Sequence, residues 1–247
     1  MILLIDIGNS RVKYALLNNV NTQHIENIHS IENLHFNHSF INNLCVVDNQ
    51  VSQVIVASVA NSEIVNPIVE YCIDHHISYT EVKSERCKNG VVSGYQIPEQ
   101  LGVDRWLAII GAQQRYAQQN ILVIDAGTAT TFDLVDNTGQ HRGGWIFAGI
   151  TTLYNTLLQN TAHIKAETKR DIELSFGLNT TDNVNNCCWA ATVGLINQAI
   201  LQAERELGAV ERIIITGGNA PALTTLTNVE MVYIEALVFY GLQQYIT

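Results

Sequence analysis

Two aspartates in this chain stand where an apolar strand runs straight into a glycine: ILLIDIGNS at residues 2–10 and ILVIDAGTA at 121–129. The stretches align without a gap, pairing Ile2 with Ile121, Leu3 with Leu122, Ile5 with Ile124, Asp6 with Asp125 and Gly8 with Gly127. A carboxylate at the end of a buried strand is costly unless it faces a cation or several donors. The glycine that follows lets the backbone take positive φ and approach a ligand, and neighbouring N–H groups in such a turn form a hollow for an anion. A phosphate chain with its metal is the chemistry this pattern fits. One D-x-G turn is an ordinary hairpin turn; turn chemistry does not explain two copies after nearly identical strands.

Two further sites carry usable groups. RIIITGGNAPAL, residues 212–223, is a third strand ending in a glycine turn, suited to close approach of a flat or phosphorylated ligand. GVDR, residues 102–105, sets Asp104 beside Arg105 at the start of a helical pattern, where free peptide N–H groups favour a carboxylate. Taken alone, Asp104 is an ordinary helix-start acid.

The elements that must position these groups follow from periodicity. Each copy of the repeat reads as strand, tight turn, strand, the second strands being RVKYALL and TTFDLV. A helix is expected over 102–119, with Trp106, Ile109, Ile110 and Tyr116 largely on one face. Others are expected over 151–164 and from about 181 to 207, the last with an apolar stripe of Val184, Cys188, Ala191, Leu195 and Ala199. The stripe signals burial without saying whether the core or a second subunit covers it. The repeat divides the chain near Asn120 into domains 1–120 and 121–247, and 247 residues suit two small domains.

Composition narrows the partners. With 47% hydrophobic and 15% charged residues the chain can build a sizeable core, and a net charge of -10 argues against a nucleic-acid surface. The opening run MILLI is broken by Asp6 and has no basic flank, so neither a signal peptide nor a membrane-spanning helix is expected and the chain reads as cytoplasmic. Cys45, Cys72, Cys87, Cys187 and Cys188 form no C-x-x-C pair, and their odd number suits reduced thiols. His35 with His38 and His75 with His76 lack metal-site spacing, so no zinc site is expected.

Taken together, DIGNSRVK (6–13), GVDR (102–105), DAGTATT (125–131), GGWIFAGI (143–150) and TGGNA (216–220) resemble, in the same order, the blocks of the type III pantothenate kinases. That family lies within the superfamily of acetate and sugar kinases, actin and heat-shock ATPases. The resemblance implies an α/β actin-like ATPase fold of two similar ribonuclease H-like domains facing an ATP cleft. It also implies ATP-dependent phosphorylation of pantothenate to 4′-phosphopantothenate, the first step of coenzyme A biosynthesis, by a homodimer.

By the same resemblance, Asp6 orients the Mg²⁺ of the nucleotide, and the turn formed by Ile7, Gly8, Asn9, Ser10, Arg11, Val12 and Lys13 wraps the phosphates. Thr128 contacts ATP. Asp104 is the general base for the pantothenate hydroxyl. Arg105 receives the pantothenate carboxylate, a task suited to its bidentate fork. Gly102, Val103, Tyr95 and Thr180 complete the pantothenate site, with Thr180 reaching a neighbouring subunit. Asp125 binds K⁺ or NH₄⁺; residue chemistry alone would have made it a second Mg²⁺ ligand. The chain departs from the family at Ala148, where proline is usual, and Val20 to Arg86 carries no family block.

Overall fold

The computed structural model describes residues 1–19, 22–37, 39–41, 44, 51–60, 62–169 and 171–247; His38 and Cys45 lie outside the described residues. The chain forms two compact units, Met1–Ala117 with Ala236–Thr247, and Gln118–Glu235.

The first unit holds a five-stranded sheet built from β1 (Ile2–Ile7), β2 (Arg11–Leu17), β3 (His29–Glu32), β4 (Gln53–Ser58) and β5 (Ser78–Val82), in the order β3-β2-β1-β4-β5. Strands β1, β2 and β3 pair antiparallel, whereas β4 runs parallel to β1 and β5 parallel to β4. Central β1 is covered on both faces, which is why ILLI carries no alternation. Leu3, Ile5 and Ile7 pack with Val54, Val56 and Ile68, the last from α1 (Ser62–Asp74), while Leu4 and Ile55 are fully buried. A two-stranded hairpin, β6 (Cys87–Lys88) with β7 (Val91–Val92), leads towards α2 (Val103–Arg115).

The second unit repeats the plan. Its sheet contains β8 (Ile121–Ala126), β9 (Ala129–Val135), β10 (His141–Ala148), β11 (Arg212–Thr216) and β12 (Val232–Tyr233), in the order β10-β9-β8-β11-β12. Strands β8, β9 and β10 are antiparallel, and β11 and β12 extend the sheet in parallel. The short echo between residues 2–10 and 121–129 is therefore the visible part of a duplication that spans both sheets. Helices α3 (Ile150–Asn160), α4 (Thr180–Leu207) and α5 (Ala220–Leu226) complete the unit.

Helix α4 is turned slightly from the expected stripe. Val184, Cys188, Thr192, Ile196, Ala199 and Ala203 are buried, whereas Ala191 is exposed and Leu195 half-buried. Thr192 occupies the apolar face because its hydroxyl donates to the Cys188 carbonyl at 3.0 Å, so burial leaves no donor unpaired.

The closing helix α6 (Leu237–Gln243) packs in the first unit against α2, although the division drawn at residue 120 placed it with the second half. The reason is backbone contact between two glycines. A Cβ at Gly111 would lie 2.2 Å from the Leu237 carbonyl oxygen, and one at Gly241 would lie 2.2 Å from that of Leu107. The tail then ties into the same unit: Trp106 Nε1 donates to the Tyr245 hydroxyl at 3.0 Å, which donates to Glu85 at 2.8 Å. Gly111→Ala should therefore cost about 1–3 kcal/mol through overpacking. A thermal melt checks this, with a fall in Tm of several degrees expected.

Candidate active site

Both aspartate–glycine turns are hairpin turns, as their sequences predict. In the first, Gly8 to Ser10 join β1 to β2, and the Gly8 N–H donates to the Arg11 carbonyl at 3.0 Å. In the second, Gly127 and Thr128 join β8 to β9, and the Gly127 N–H donates to the Ala129 carbonyl at 2.9 Å. Neither glycine has positive φ, contrary to one reason for expecting glycine there. What Gly8 provides is space: a Cβ would sit 3.3 Å from the Arg11 carbonyl oxygen.

The strand register separates the two aspartates. Asp6 stands opposite Lys13 on β2 and beside Ala57 on β4, while Asp125 stands opposite Thr131 on β9 and beside Thr216 on β11. Directly opposed residues share a sheet face. One carboxylate therefore has an ammonium-bearing neighbour, and the other has two buried threonines.

Within the second unit, two glycine-bearing segments converge on Asp125 to Thr128. Gly217, at φ 94°, lies so close that a Cβ would be 2.5 Å from Asp125 Oδ1 and 2.6 Å from the Ala126 carbonyl carbon. The Asn219 N–H donates to the Ala126 carbonyl at 3.0 Å. From the other side, the Gly149 N–H and the Thr152 hydroxyl donate to the Thr128 carbonyl at 3.0 and 2.8 Å. A Cβ at Gly149 would lie 2.3 Å from the Gly127 oxygen. Ala148, for which the resemblance implies proline, ends β10 opposite Ala129.

The first unit brings together Tyr95, Gly102, Val103, Asp104 and Arg105. Gly102 is the N-cap of α2, and its missing side chain leaves room for Asp104 Oδ1, which would lie 2.6 Å from a Cβ there. That oxygen accepts the Arg105 N–H at 2.8 Å, so the free donors of the first turn hold the carboxylate in place. Arg105 is 4% exposed; its Nη1 donates to the Tyr95 hydroxyl at 2.9 Å, and its guanidinium lies 5.7 Å from the Tyr95 ring centre.

Thr180 belongs to the second unit, exposed in the first turn of α4. Asn179 caps the helix, its side chain accepting the Asp182 N–H at 2.9 Å. Lys169 pairs with Asp182 and holds that carboxyl below its usual range. Asn185 accepts from the Lys169 N–H and donates to the Glu167 carbonyl, which fixes the preceding segment to the helix.

Several contacts had no signal in the sequence. Asn33 Nδ2 donates to the Gly8 and Asn9 carbonyls at 2.9 and 3.1 Å and clamps the first turn from outside the repeat. Asp133 and His141 form a buried pair at 2.9 Å in the second unit.

Among the described residues no group of three or more His, Cys, Asp or Glu side chains is placed to hold a metal. No described helix is long and apolar enough to cross a membrane.

Two sheets of the same topology, each opening on a hairpin with an aspartate and a glycine at its tip, define an actin-like ATPase fold. Solved structures share it: a conserved Campylobacter jejuni protein, described as a candidate Baf family transcriptional activator, superposes with a TM-score of 0.61 at 20% identity, covering 98% of this chain and 96% of that one. A glucokinase from an Antarctic psychrotroph gives 0.53 at 12% identity, covering 98% and 97%. The family is fixed by sequence. The model of the type III pantothenate kinases matches residues 2–202. A type III pantothenate kinase of Colwellia psychrerythraea is 46% identical over 99% of this chain and all of its own length. The chain belongs to the type III pantothenate kinase family. It transfers phosphate from ATP to pantothenate, giving 4′-phosphopantothenate in the first step of coenzyme A biosynthesis.

Proposed function

We propose that the first unit carries the acceptor site, with Asp104 as general base and Arg105, Tyr95, Gly102 and Val103 around the pantothenate. The observation that carries this reading is the α2 N-terminus, where a carboxylate fixed by a backbone N–H adjoins a buried guanidinium that bonds the Tyr95 hydroxyl. Phosphoryl transfer asks a protein mainly for positioning and charge neutralisation. Arg105 binds the pantothenate carboxylate and thereby sets the distance of the primary hydroxyl from Asp104. The Asp104 carboxylate accepts the hydroxyl proton as that oxygen attacks the γ-phosphorus. The turn from Ile7 to Lys13 and Thr128 bind the phosphates, with Lys13 neutralising one of them. Mg²⁺ bound with the nucleotide would be held by Asp6 and would spread the phosphate charge.

Asp125 holds a monovalent cation, K⁺ or NH₄⁺, and Asp6 does not. The register supports the Asp125 part of this division, because Thr131 and Thr216 flank that carboxylate with neutral oxygens. Thr180 completes the pantothenate site of a second subunit in a homodimer. Leu174, Phe176 and Leu178 support such pairing, since all three are exposed just before Thr180 and Phe176 and Leu178 fully so. The enzyme works in the cytoplasm.

The cation assignment is tested by ADP release with pantothenate in Na⁺ and then in K⁺. The rate should rise severalfold or more with K⁺ in the wild type and lose that dependence in Asp125→Ala. A wild-type rate indifferent to K⁺ would count against Asp125.

A further inference from the structure

The stretch between β5 and the β6–β7 hairpin carries no motif, yet it holds both segments of the acceptor site. Ser84 is 5% exposed, and its hydroxyl donates to the Leu101 carbonyl at 2.7 Å, one residue before the cap of α2. Two residues on, Arg86 reaches the loop that bears Tyr95. Its Nη1 donates to the Tyr95 carbonyl at 3.0 Å and the Ser93 carbonyl at 3.4 Å, and its Nη2 to the Gln96 carbonyl at 3.0 Å. The Arg86 carbonyl in turn accepts the Ser93 N–H at 2.9 Å. Buried Ser93 takes the Tyr95 N–H on its hydroxyl at 3.3 Å.

One guanidinium thus gathers the carbonyls of residues 93, 95 and 96. Only a planar fork with five donors suits that task; an ammonium is a point donor on a flexible stem. In this loop Gln96 and Ile97 are exposed and Tyr95 is half-buried. The Tyr95 hydroxyl accepts from Arg105, so the line of contacts runs from Arg86 through Tyr95 to the guanidinium beside Asp104.

We propose that Arg86 is a positioning residue for the acceptor site: it fixes the backbone at Tyr95, and through the Tyr95 hydroxyl it fixes the orientation of Arg105. The inference rests on the assignment of Tyr95 and Arg105 to pantothenate. The Arg86 guanidinium bonds the loop backbone, so its loss should weaken capture of the acceptor and leave the nucleotide turns alone.

The test is steady-state kinetics on Arg86→Ala, Arg86→Lys, Tyr95→Ala and the double variant Arg86→Ala/Tyr95→Ala, with KM read separately for pantothenate and ATP and a thermal melt on each. Arg86→Ala should raise the pantothenate KM roughly ten- to a hundredfold, the range expected for lost hydrogen bonds from a charged donor, with the ATP KM changed less than twofold. Arg86→Lys should recover part of the loss. In the Tyr95→Ala background, adding Arg86→Ala should change little, because two residues acting through one path are not additive. Equal effects on both KM values, or full additivity in the double variant, overturn the inference. If Arg86→Ala does not fold, a pantothenate KM unchanged in Arg86→Lys overturns it instead. A wild-type pantothenate KM in Tyr95→Ala would overturn the placement of the acceptor site itself, and the role of Arg86 with it.

Discussion

An Asp104→Asn enzyme folds, binds ATP and turns over about 10²- to 10⁴-fold more slowly than the wild type, the range removed when a positioned general base is lost. Folding is preserved because the asparagine oxygen can still accept the Arg105 N–H at the start of α2, and the space beside Gly102 takes either side chain. What the amide cannot do is accept the proton of the attacking hydroxyl. The loss therefore falls on kcat, with the KM values for pantothenate and ATP little changed. Initial-rate kinetics, calorimetric ATP binding and a thermal melt check the three parts together. A kcat within a few-fold of wild type would remove Asp104 from the proton transfer.

Gly217→Ala is expected to be nearly as damaging, from the other unit. The added methyl would stand 2.5 Å from Asp125 Oδ1 and 2.6 Å from the Ala126 carbonyl carbon, and the backbone at φ 94° is one that alanine resists. Either the TGGNA turn or the Asp125 strand end must move. A displacement of about 1 Å beside reacting phosphates costs on the order of 100-fold in rate. The fall should appear in kcat/KM for ATP and in the response to K⁺. Near wild-type kinetics would show that the contact between Gly217 and Asp125 has no part in catalysis.

How far the sequence spoke varied from feature to feature. The two hairpins were legible because their strands are buried on both faces, which leaves near-identical apolar runs ending in the same acid. The rest of the duplication was not, since β3 and β10, or β5 and β12, share strand order and not residues. Backbone pairing alone fixes those positions. The partner of α6 was equally hidden, because its apolar run shows that it is buried but not what covers it. Gly111 and Gly241 acquire meaning only once the two helices touch.

The difference between the aspartates was present in the sequence but masked by one residue. The ungapped alignment that reveals the repeat sets Lys13 against Phe132. Three residues join β1 to β2 and two join β8 to β9, so in the sheets Lys13 occupies the place of Thr131. Only the register shows an ammonium opposite one acid and a hydroxyl opposite the other. Of the acceptor side, Asp104 and Arg105 were readable as a helix start with two charges. The clamps on Tyr95 and on Gly8 were not, because Arg86 and Asn33 act on backbone carbonyls, and such contacts leave no pattern in residue spacing.

Phosphorylated pantothenate is the most direct readout of the activity. Purified enzyme supplied with Mg²⁺-ATP, K⁺ and pantothenate should release ADP and form 4′-phosphopantothenate one for one by mass spectrometry, with ADP release falling to background when pantothenate is left out. Binding of ATP without pantothenate-dependent ADP release, or ADP release with no phosphorylated pantothenate, would contradict it.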